Sequence, residues 1–144
     1  MCSNQNLIHF NKQLIDFLNN LKLLNIDISK EIDIAILYLK YNKNSGFVFF
    51  CDCFLDDPLK RVMIFEENEL FFLNKDNDYY NKKNTIKLNI ISEIKSKWCL
   101  LNVEDKQKIW NYLKILIYFV DVEMGVDTKQ RNKDLKLNFY SALS

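Results

Sequence analysis

Apolar residues recur along this chain at three-, four- and seven-residue intervals, the spacing that lines up one face of a helix. From Asn4 to Leu24, Leu7, Phe10, Leu14, Phe17, Leu18 and Leu21 form such a stripe, with Asn11, Lys12, Asp16, Asn19 and Lys22 opposite. A first helix is therefore predicted over 4–24, capped by Ser3 or Asn4. Ile32, Ala35, Ile36 and Leu39 predict a second over 29–41, with Ser29 as cap and Glu31 in the first turn, where a negative charge suits the helix dipole. Asp57-Pro58 reads as another start, Asp capping and Pro at the first helical position, and Leu59, Val62 and Met63 carry that face over 58–67.

Two further stretches are the most strongly patterned. Ile90, Ile91, Ile94 and Trp98 predict a helix over 86–101, and Ile109, Trp110, Leu113, Leu116, Ile117 and Val120 one over 103–123. Asn102 is placed to cap the second and Gly125 to end it in a left-handed conformation. So short a turn between them predicts an antiparallel hairpin with both tryptophans at its seam. Phe47 to Leu55 fits two patterns. Its aromatic and branched residues suit a buried strand, while Phe47, Phe50, Cys51 and Phe54 share one helical side. Helical neighbours favour a helix over 47–55. Glu69 to Leu73 reads as a short additional turn.

The expectation is an all-α, single-domain bundle of about five to six helices built around the C-terminal hairpin. Its core lies within about 4–124, followed by a polar, mobile tail over 126–134 and a short docking element over 135–143 (Leu135, Leu137, Phe139, Tyr140, Leu143). Composition supports this. With 144 residues, 49% hydrophobic, the chain is large and apolar enough to bury a core. Only two Gly and one Pro leave little material for sheet corners and tight turns.

Charge adds little. A net of +1 shows no basic excess of the kind a duplex-binding domain usually carries. The amino terminus lacks a basic region followed by an apolar core, so no signal peptide is expected. The longest apolar run, Ile115 to Val120, is far short of the roughly 18 residues a membrane span needs. Cys2, Cys51, Cys53 and Cys99 are accordingly expected to be reduced thiols.

No complete catalytic or metal set can be written. Cys51 and Cys53 are one close pair, and on a helix they diverge by about 200°. His9 is the sole histidine, which excludes a two-histidine metal motif. Of the acidic pairs, Asp56-Asp57, Glu66-Glu67 and Asp76/Asp78, Asp57 already serves as a cap, and the Asp76/Asp78 loop pair lacks the glycine and terminal Glu of a calcium loop. No glycine-rich phosphate loop exists. No enzyme activity, cofactor or metal is expected. A positive cluster of Lys82, Lys83, Lys87, Lys95, Lys97, Lys106 and Lys108 surrounds the hairpin. Tyr79 and Tyr80 beside Lys82, Lys83 and Lys87 could stack on single-stranded bases, the alternative functional reading. The aromatic load is the stronger hint. With 11 Phe, 7 Tyr and 2 Trp, the chain holds more aromatic surface than a small bundle must bury, which suits a protein-docking patch.

The overall layout resembles small proteins of nucleocytoplasmic large DNA viruses, the giant-virus group. The likeness runs from Phe10, Phe17 and Leu21 through Glu67-Asn68-Glu69-Leu70-Phe71-Phe72-Leu73. It continues in Ile94, Trp98, Leu101, Lys106, Ile109, Trp110, Tyr112, Leu113 and Leu116, covering roughly residues 7–124. Asn, Ile and Lys abundance agrees with AT-rich genomes of that kind. The resemblance implies a helical virion or virus-factory protein in the cytoplasm of an infected cell, and no activity. The leading expectation is thus a non-enzymatic interaction or structural protein with a viral or host protein partner. Elemental analysis of the purified protein should find no stoichiometric zinc.

Overall fold

The computed structural model describes residues 4–24, 28–73 and 85–143. Every regular element among them is helical. Six match the expected stretches closely: α1 (Asn4–Lys22), α2 (Ser29–Tyr41), α3 (Ser45–Phe54), α4 (Pro58–Phe65), α6 (Thr85–Lys97, continued by a 3-10 turn, Trp98–Leu100) and α7 (Val103–Met124). Two more bring the described total to eight rather than five or six: α5 (Glu69–Leu73) and α8 (Thr128–Leu143). The ambiguous Phe47 to Leu55 stretch is helical. Its inner side, Phe47, Phe50 and Cys53, is buried, and Phe10 meets Phe47 and Phe50 edge-on at 5.2 and 5.6 Å.

Local chemistry sets most of the helix ends. Asp57 accepts a bond from Leu59 N–H at 2.9 Å ahead of Pro58, and Asn102 accepts one from Asp105 N–H at 2.8 Å. Gly125 sits at φ 69°, the left-handed conformation that closes α7. Ser29 does not cap α2. It is the first helical residue, and Ile28 occupies the cap position with no side-chain bond. Burial of Ile28, 1% exposed, anchors that turn instead. Gly46 lies in the first turn of α3 where a Cβ would stand 2.7 Å from the terminal side-chain carbons of both Leu14 and Leu39, so a larger residue there would oblige those two leucines to shift.

The expected hairpin is not the organising unit. α7 packs chiefly along α1, and α6 lies against α2. The α1–α7 pair is antiparallel. Asn6 donates to Glu123 at 3.0 Å at one end, His9 stacks on Phe119 in between, and Asn20 donates to the Tyr112 hydroxyl at 2.7 Å at the other. Phe17 stacks on Tyr112 with ring centroids 5.1 Å apart. α1 offers α7 an uninterrupted apolar face, whereas the 3-10 turn and the extended backbone of Leu101 redirect the chain between α6 and α7. The tryptophans do meet, as expected, edge to face at 5.6 Å.

The stretch expected as a mobile polar tail is the first half of α8. Asp127 accepts from Gln130 N–H at 2.9 Å and starts the helix. A buried ion pair then fixes it. Arg61 of α4, 6% exposed, donates to both carboxylate oxygens of Asp121 of α7, 3% exposed, at 2.7 and 2.5 Å. Thr128 donates to the same carboxylate at 2.7 Å, and Arg61 Nε donates to Asn132 at 2.6 Å. Three helices therefore converge on one two-pronged contact.

Removing one partner leaves a buried charge without its mate, so Arg61→Met should cost about 3–5 kcal/mol in denaturant unfolding. The double variant Arg61→Met/Asp121→Leu should recover most of that loss, because hydrophobic replacement of both charges removes their desolvation cost too. A single-variant loss below about 1 kcal/mol would show that the pair is solvated.

Candidate functional site

Burial on α2 is split between two stripes. Ile28, Ile32, Ala35 and Leu39 face inward. Ile34, Leu37, Tyr38 and Tyr41, at i, i+3, i+4 and i+7, lie roughly 140° round the helix. They are 42, 57, 47 and 81% exposed. A helix that packs on one side only carries polar residues on the other. α2 instead has a second apolar seam, with two tyrosines of the type enriched at protein interfaces. The heptad-like signal Ile34-x2-Leu37-Tyr38-x2-Tyr41 is present in the sequence. The inner stripe, equally well spaced, hid it.

α7 repeats the arrangement. Opposite its buried face, Ile115, Tyr118 and Val122 are exposed, flanked by Phe119 and its stacking partner His9. Tyr118 and Phe119 contact each other edge to face at 5.6 Å.

The polar residues singled out in the sequence fall into separate places. Tyr79, Tyr80, Lys82 and Lys83 lie outside the described residues, and Lys87 is on α6 with its side chain outside them too. Of the neighbouring lysines, Lys106 ion-pairs with Glu69 at 3.2 Å and sits 5.6 Å from the Trp98 ring centre, while Lys108 is exposed. Cys53 is buried and Cys51 half-buried, and neither is in a disulfide. Asp57 caps α4, Asp56 pairs with Lys60 at 2.8 Å, and Glu66 pairs with Lys136 at 3.3 Å. Among the described residues no three His, Cys, Asp or Glu side chains gather as a metal ion would require. No helix among them is long and apolar enough to cross a membrane.

Two carboxylates are tuned by partners that sequence spacing could not reveal. Glu67 ends α4 at φ 55°, a left-handed position usually given to glycine, with Asn68 N–H closing back on Met63 C=O at 3.0 Å. Its side chain accepts from Lys114 at 2.6 Å and from Gln107 at 2.9 Å, and these bonds, Lys114 first, hold its pKa below the ordinary glutamate value of 4.5. Glu69 is lowered as well, first by the 2.8 Å bond it accepts from Trp98 Nε1 and then by Lys106.

A lowered folded-state pKa gives stability that is complete above the unfolded value and lost as pH falls through the folded one. The acid limb of the stability curve should therefore begin below about pH 4.5. Glu67→Gln and Glu69→Gln should each make that limb shallower in urea unfolding between pH 6 and 3, and Glu67→Gln should cost less than about 1 kcal/mol at pH 7. A limb unchanged in both variants would count against these pairings.

No family model, curated protein or solved structure matches this chain, so its function is read from its own residues and geometry.

Proposed function

We propose that this chain is a non-enzymatic interaction protein that docks a protein partner on the outer stripe of α2. The observation that carries this reading is the double-striped character of that helix. Ile34, Leu37, Tyr38 and Tyr41 leave a solvent-facing apolar seam at the spacing a partner helix or groove would read. Contiguous exposed apolar surface is costly in water and marks an interaction site when it is patterned rather than scattered. The smaller apolar face of α7 (Ile115, Tyr118, Val122) supports the same class of function. With the reading goes the setting implied by the likeness to large DNA virus proteins: a virus factory in the host cytoplasm, or the virion.

A photo-crosslinking residue at Tyr41 should capture one discrete protein in infected cells, and the same residue at Asp52, exposed on α3, should not. Ile34→Asp/Leu37→Asp should abolish capture and leave the helical circular dichroism unchanged. Equal capture from both positions, or capture indifferent to the two aspartates, would sink the proposal. Salt-sensitive binding to single-stranded nucleic acid, lost when Lys82, Lys83 and Lys87 become Glu, would favour the competing nucleic-acid reading.

A further inference from the structure

The outer stripe of α2 has charge along its edge as well as carbon along its centre. Lys30, Ile34, Leu37 and Tyr41, at i, i+4, i+7 and i+11, form one line, and all are exposed. Asp33 and Lys40, also exposed, follow one edge of that line, about two turns apart. Lys22 of α1 holds one Asp33 oxygen at 2.5 Å, yet 62% of the Asp33 side chain stays open to water. Along this edge the amino half is acidic and the carboxyl end basic.

Such an edge is complementary to itself when turned round. A twofold axis crossing the stripe between Ile34 and Leu37 sets each Ile34 against Leu37 of the second copy. It also lays each Tyr41 on the aliphatic stem of Lys30 from the second copy. The same operation brings Asp33 of each copy beside Lys40 of the other, two ion pairs from one symmetric contact. Parallel copies in register would set Asp33 opposite Tyr38, and neither charge would meet its opposite. Antiparallel packing further places the positive end of each helix dipole by the negative end of the other.

We propose that the protein docked on α2 is a second copy of this chain, packed antiparallel, stripe against stripe, across a twofold axis. The inference rests on the reading of that stripe as a docking surface and adds which partner it takes. From Lys30 to Tyr41 the line is about 16 Å long at roughly 1.5 Å per residue. So short a contact belongs with the smaller, transient interfaces, and the dimer forms and dissociates with concentration.

Sedimentation equilibrium of the full chain, over about a hundredfold range of concentration reaching roughly 0.5 mM, should follow a monomer–dimer curve. Asp33→Lys and Lys40→Asp should each weaken the dimer about tenfold, because each sets like charges face to face. Mixing the two single variants should recover association, since each then meets its opposite in the other, with helical circular dichroism unchanged throughout. Monomer at every concentration would overturn the proposal. So would a dimer indifferent to the charge reversals, a loss not recovered by mixing, or growth into larger species. A monomeric chain whose photo-crosslinker at Tyr41 still captures a different protein would overturn self-association alone. Failure of that capture as well would end the docking reading with it.

Discussion

The Arg61–Asp121 pair is the contact on which the remainder of the fold leans. A guanidinium and a carboxylate this deeply buried are tolerable only when nearly all their hydrogen-bonding capacity is met. Meeting it requires α4, α7 and the start of α8 to arrive together, since Thr128 and Asn132 complete the shell. The pair thus does more to specify one arrangement than to stabilise it. It holds the polar stretch after Gly125 as the first turns of a helix docked on α4.

On the other side of α7 the controlling effect is apolar burial. The antiparallel α1–α7 seam is closed by aromatic stacking in the middle and by amide hydrogen bonds at its two ends. Polar groups at the ends fix the register, which an apolar stripe alone leaves free to slide. α7 is then committed on two sides, to α1 through carbon and to α4 and α8 through charge. Its exposed Ile115, Tyr118 and Val122 are what remains after both commitments are met.

The aromatic surplus resolves along the same lines. Phe10, Phe17, Phe47, Phe50, Trp98 and Trp110 are buried, whereas Tyr38, Tyr41 and Tyr118 are exposed. Of the buried rings, Phe17, Phe50, Trp98 and Trp110 line an apolar cavity of about 160 Å³ between the helices. Tyrosines at the surface combine an apolar face with a hydroxyl that water accepts, so the outer stripe of α2 remains soluble while offering area to a partner.

Sequence alone determined the helical class, the six long segments and most of their ends. These are local matters, decided by apolar periodicity within about four turns and by single capping groups such as Asp57, Asn102 and Gly125. It also yielded the inner residues of α7 and the meeting of the two tryptophans. Tertiary structure decided which helices pair, because several stripes of similar quality compete and periodicity does not rank them. It decided that α1, rather than α6, runs along α7. It made a helix of the segment beginning at Thr128, whose partner Arg61 lies far off in the chain. And it separated the two stripes of α2, equivalent by spacing, into one that is core and one that is surface. Burial depends on what else occupies the space, and that information is distributed over the whole chain.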